Sequence, residues 1–188
     1  MRKKLVLFAG LLLGSAAAPR TSAWDDFLRH PDANAAAVVV AQMGESTCDP
    51  STTPSSQQVA SLARLLTSRD HPTAAIRPAY LVTRCLDGGD LEDIYRAFGK
   101  LLAGHPKDFL RVLARENVPD GQLRYLVATL PLSLVDNLNG QIGELDRRAA
   151  RIRSASEPGT AELSRRALTV LAARRNELAT IRAQTGAR

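Results

Sequence analysis

From Trp24 onward the apolar residues recur at steps of three and four rather than alternating. The segments between them are rich in proline, glycine and small polar residues. This period predicts helices over 24–29, 34–43, 56–67, 78–86, 91–103, 107–116 and 121–130. The run Val38-Val39-Val40 equally suits a short buried strand. Residues 45–55 hold Pro50 and Pro54 and read as a loop. Gly88-Gly89 reads as the close of one helix, and Asp90 as the N-cap of the helix that begins at Leu91. Pro78 suits the first position of its helix, or a kink in a longer one starting near Thr73.

The C-terminal quarter has a stricter pattern. Val135, Leu138, Ile142, Leu145, Ala149 and Ile152 follow one another at 3, 4, 3, 4 and 3 residues, a heptad seam. Pro158-Gly159 breaks it. Ala167, Leu171, Leu178 and Ile181 then share a stripe on the next helix. Two helices joined by so short a loop pack antiparallel, within one chain or across a dimer. Upstream, His30, His71 and His105 each precede proline and follow an apolar pair, at spacings of 41 and 34 residues. Proline disfavours the helical conformation in the residue before it, so each histidine is expected in an interhelical turn. The fold class expected is all-α: stacked short helical hairpins over 24–132, followed by a long antiparallel hairpin over 133–188 packed on them.

Residues 1–23 have the anatomy of a secretory signal peptide. Arg2-Lys3-Lys4 leads into an apolar run from Leu5, and Thr21-Ser22-Ala23 places small residues before Trp24, with Ala17 or Ala18 as alternative cleavage points. The apolar run is too short to span a bilayer comfortably. The chain is therefore expected to be exported, periplasmic or secreted, and free of the membrane after cleavage. Its 21 Arg against 4 Lys suit a GC-rich bacterium. In an oxidising compartment Cys48 and Cys85 pair most simply as one disulfide.

The net charge of +6 shrinks once the leader is set aside, because 21 basic and 19 acidic residues then remain. That removes the main argument for nucleic acid as a partner. The charge is also uneven. Residues 144–188 hold ten Arg and five acids, whereas 24–143 hold 11 basic and 14 acidic residues. Arg147, Arg148, Arg151, Arg165, Arg166, Arg174 and Arg175 make a candidate partner-binding face for an acidic protein or an anionic membrane surface. The competing reading is a solvated outer face, since Glu144, Glu162 and Glu177 stand at helical pairing distance.

No metal site and no cofactor are expected. The three His-Pro turns of stacked hairpins would lie about a helix diameter apart, far beyond the ~2 Å reach of zinc ligation. The segment Gln42-Met43-Gly44-Glu45-Ser46-Thr47-Cys48-Asp49-Pro50 resembles the first motif of the lysozyme-like lytic transglycosylases. That resemblance implies Glu45 as general acid on a peptidoglycan glycosidic bond, its pKa raised by an apolar setting. The family's following Gly-Leu-Met-Gln segment is replaced by Ser55-Ser56-Gln57-Gln58-Val59. The leading expectation is a binding role rather than catalysis: an exported helical protein that holds a macromolecular partner, as an inhibitor, an immunity-type protein or an envelope-assembly factor. A peptidoglycan lytic enzyme using Glu45 is the alternative.

Overall fold

The computed structural model describes residues 22–44, 48–70 and 72–186. Among these, nine α-helices and four short 3-10 turns account for the regular structure. α1 (Ala23–Arg29) begins with a capping box, in which Ser22 Oγ accepts from the Asp25 amide and the Asp25 carboxylate accepts from the Ser22 amide. α2 (Ala33–Met43) is capped by Asp32, whose carboxylate accepts from two amides at 2.8 Å. Val38-Val39-Val40 is therefore helical, as the flanking alanines favour. α3 (Ser56–Thr67) has a second capping box, Ser55 with Gln58. A 3-10 turn, Thr73–Ala75, feeds α4 (Ile76–Val82), which places Pro78 in its first turn, where a missing amide proton costs nothing. A second 3-10 turn, Thr83–Cys85, closes α4.

α5 (Gly88–Gly104) starts two residues before the expected cap at Asp90. Its N-cap is Asp87, and Gly88 enters the helix with φ +49°, a conformation glycine adopts without penalty. The glycine pair thus opens one helix rather than closing the previous one. α6 (Pro106–Leu113) carries Pro106 at its first position, and His105 forms the turn before it. His30 likewise ends α1, whereas His71 lies outside the described residues. α7 (Asp120–Ala128) leads through a 3-10 turn at Leu132–Leu134 to α8 (Leu138–Ala155) and then α9 (Ala161–Gly186).

The heptad seam closes inside the chain. Ile142, Leu145, Ala149 and Ile152 are buried, and α8 packs against α9, α6 and α5. Arg175 bonds Asp146, and Arg182 bonds Asn139. Seven residues back along α8 match seven forward along α9, which fixes the antiparallel register. Val135 does not join the seam. It precedes the helix and is 61% exposed. One cluster of buried residues runs from Trp24 in α1 to Leu178 in α9, so the hairpin and the helices before it share a core. Phe98 and Phe109 meet edge-on at its centre, ring centroids 6.1 Å apart.

Cys48 and Cys85 are bonded, with Cα atoms 5.2 Å apart. Closing a loop of that length stabilises the fold by roughly 3–4 kcal/mol in the chain-entropy account. No helix among the described residues is long and apolar enough to cross a membrane.

Candidate functional site

The arginines of α8 and α9 are mostly occupied. Arg147 pairs with Glu144 at 2.8 Å, Arg165 with Glu162 at 2.6 Å and Arg174 with Glu177 at 2.6 Å, each three residues apart on its own helix. Arg175 ties α9 to α8 through Asp146 at 2.8 Å. Arg166 ties α9 to the start of α7 through Asp120 and the Val118 carbonyl. Midway along α7, Arg124 reaches Glu177 at 3.6 Å. Among the described residues, Arg151 alone of the seven candidates is exposed with no carboxylate partner. The expected basic face is largely drawn into bonds within the fold, because carboxylates sit at helical spacing and on the facing helices.

Arg148 departs furthest from expectation. Its side chain is fully buried. Nε donates to Glu144 at 3.0 Å, and Nη1 donates to the carbonyls of Val127 at 2.7 Å and Thr129 at 2.9 Å. Burial pushes the pKa of the guanidinium down from its ordinary value, and Glu144 opposes that shift. Nη2 has no hydrogen-bond partner. It rests against Gly99, where a Cβ would stand only 2.6 Å away.

Two turns earlier on the same face of α8, Gln141 is also buried. Its Nε2 donates to the carbonyls of Leu134 and Val135, both at 2.7 Å. α8 therefore holds the backbone just before the segment 130–135 and at its far end with buried polar side chains. Pro131, at φ −59°, fixes the chain between them.

What this segment presents is apolar. Leu132 is 63% and Val135 61% exposed, and Tyr125 beside them is 55% exposed. These are three of the five large exposed hydrophobic residues among those described. Tyr125 stacks on Tyr95, centroids 5.3 Å apart and planes 20° from parallel, so its ring is a fixed platform.

A cleft lies on each side of the ridge, and Pro131 lines both. The first, of about 450 Å³, is lined by Tyr125, Arg124, Arg174, Gln141 and Val135 among others. The second, of about 520 Å³, lies where α3 meets α5 and exists because Ala60, Ala63 and Ala97 are small. Its polar groups are Arg64, Arg96, Lys100, Asp93 and the hydroxyl residues Thr67 and Ser133. Arg96 is bridged to Glu92 and Asp93. Arg64 and Lys100 have no carboxylate partner among the described residues. The arrangement offers apolar contact, an aromatic platform and cationic donors, while Asp93, the carboxylate in the lining of the second cleft, is held in an ion pair.

Sequence reasoning missed this surface. Leu130 read as the tail of a helix and Val135 as the first seam position. A proline inside Leu-Pro-Leu-Ser-Leu-Val was the available signal. Glu45 lies outside the described residues, but its flanks are anchored. Arg84 donates to the carbonyls of Met43 and Gly44, and Cys48 is bonded to Cys85. The chain matches no protein-family model, no curated protein and no solved structure.

Proposed function

We propose that this is an exported helical binding module that docks an acidic protein partner on the ridge around Leu132, Val135 and Tyr125. One observation carries the reading: large apolar side chains are held out to solvent on a backbone that buried Gln141 and Arg148 keep in one shape. Surface patches of this kind, rimmed by polar groups, mark interaction sites. A fixed aromatic beside aliphatic residues, with guanidinium groups at the edge, is the composition of an interface centre. The unpaired cations Arg64 and Lys100 favour a partner that is acidic where it meets the second cleft. The leader-like N-terminus and the Cys48–Cys85 bond support an oxidising, exported setting. An inhibitor, an immunity-type protein and an envelope-assembly factor are the forms such a module takes.

The test compares tagged wild type with a Leu132→Asp/Val135→Asp variant in quantitative capture from the protein's own cell envelope. Wild type should retain a stoichiometric acidic protein that the variant loses by at least about tenfold, as for an interface centre. Arg147→Glu, on the paired outer face, should leave capture unchanged. Wild type recovered alone at low and moderate salt, or a partner indifferent to the ridge variant, would overturn the reading.

A further inference from the structure

A second concave feature lies away from the ridge. α2 carries no charged residue over its 11 positions, unlike the other eight α-helices among the described residues. Its exposed side includes Ala33, Ala37 and Val38, the last 52% exposed. α2 and α6 both pack on α4, and an open groove of about 440 Å³ runs between them. Ala36, Ala37, Val40, Ala74, Pro78 and Val112 form its walls. The space exists because three of those side chains end at Cβ.

The charged residues are Arg77 on α4 and Arg115 and Glu116 in the turn after α6. Arg77 pairs with Glu116 at 2.7 Å. Arg115 also lines the groove, is exposed and has no carboxylate partner among the described residues. An apolar trough therefore ends beside one uncommitted guanidinium. The volume is in the range of small-molecule sites, about 300–1,000 Å³.

We propose that this groove binds a single-chain anionic amphiphile, a free long-chain fatty acid in its chemistry. The hydrocarbon lies along the alanine and valine walls, and the carboxylate meets Arg115. Burial of the chain supplies the affinity, and the guanidinium sets the preference for an anionic head. The site shares no lining residue with the ridge and its two clefts, so it stands or falls independently of the docking proposal.

The experiment is a calorimetric titration of the full purified chain with oleate below its aggregation concentration, alongside methyl oleate. Oleate should bind one per chain. Ala37→Trp fills the groove from an exposed position and should weaken oleate by about tenfold or more, the loss expected when a few methylenes stay in water. Arg115→Glu should weaken oleate by roughly fivefold and leave methyl oleate unchanged. Circular dichroism melts confirm folding, and Ala33→Trp at the exposed first turn of α2 is the second blocking variant. Equal affinity in wild type and both blocked variants, or uptake of many oleates per chain, overturns the site. So does binding confined to phosphatidylglycerol vesicles with none to free oleate, or a concentration-dependent dimer that Ala37→Trp abolishes.

Discussion

Arg148 is a charge sealed in a helical core, and Gly99 makes room for it. The Nη2 group occupies space that any side chain at position 99 would enter. Gly99→Ala should therefore destabilise the protein by about 1–3 kcal/mol through overpacking, because the guanidinium is pinned by three hydrogen bonds and cannot swing aside. Arg148→Ala should cost about 3–5 kcal/mol, leaving Glu144 Oε1 and two carbonyls without their donor, while Arg147 still holds Glu144 Oε2. In the Arg148→Ala background the sign at 99 should reverse. Gly99→Ala then gains roughly 0.5–1 kcal/mol of helix propensity with no clash. Urea melts of the four proteins test this, and additive effects would refute the contact. None of it was legible at residue 148. Arginine is almost never fully buried, so a reading by residue type sends it to the surface with Arg147 and Arg151. The cue is positional, seven residues from Gln141, and it acquires meaning only when Gly99 on another helix is seen opposite.

At the scale of elements, sequence reading succeeded where the cause is local. The span of α3 follows from its apolar period after the proline-bearing loop 45–55, and the α8–α9 hairpin follows from a heptad seam interrupted by Pro158-Gly159. It failed where tertiary contacts decide. Gly88-Gly89 suits either end of a helix, and Val135 continues the heptad count although no helix is there to carry it. The start of α1 has a practical consequence. Ser22 caps that helix, and Gln58 of α3 donates to both its hydroxyl, at 3.0 Å, and Asp25, at 2.7 Å. A chain beginning at Trp24 lacks this cap, whereas one beginning at Ala18 keeps it. The shorter chain should be less stable by about 1 kcal/mol, which for a protein of this size lowers the melting temperature by some 2–4 °C. Calorimetry on the two purified chains measures it, and equal melting temperatures would show that the cap is dispensable.

Over the whole molecule, charge acts as a set of ties along single helices, supplemented by a few between them. The carboxyls of Glu177, Glu162 and Asp25 are held below their ordinary values by hydrogen bonds from Arg174, Arg165 and Gln58 respectively. A depressed carboxyl contributes stability above its unfolded pKa and loses it as pH falls. Stability should therefore be level near neutrality and decline as pH drops below the ordinary values of 4.5 for Glu and 3.8 for Asp. Glu177 and Glu162 are exposed and Asp25 is half-buried, so the decline should be gentle, and the part carried by the two glutamates should flatten in high salt. Thermal melts between neutral and acid pH at two ionic strengths check the sign, and a protein that gained stability on acidification would contradict it. Composition indicated an excess of arginine in the last quarter. It could not show that the acids of α7 and α8 are positioned to absorb it.

The pinned segment 130–135 also sets what its binding should look like thermodynamically. A ridge already fixed in shape gives up little conformational freedom when covered, so its complexes avoid much of the ordering entropy that coupled folding demands. The heat-capacity change on association should then match the apolar area covered, with no excess from a segment becoming ordered. Loosening the ridge by Gln141→Ala should leave every exposed side chain in place and still weaken the complex, with the loss falling in the entropy.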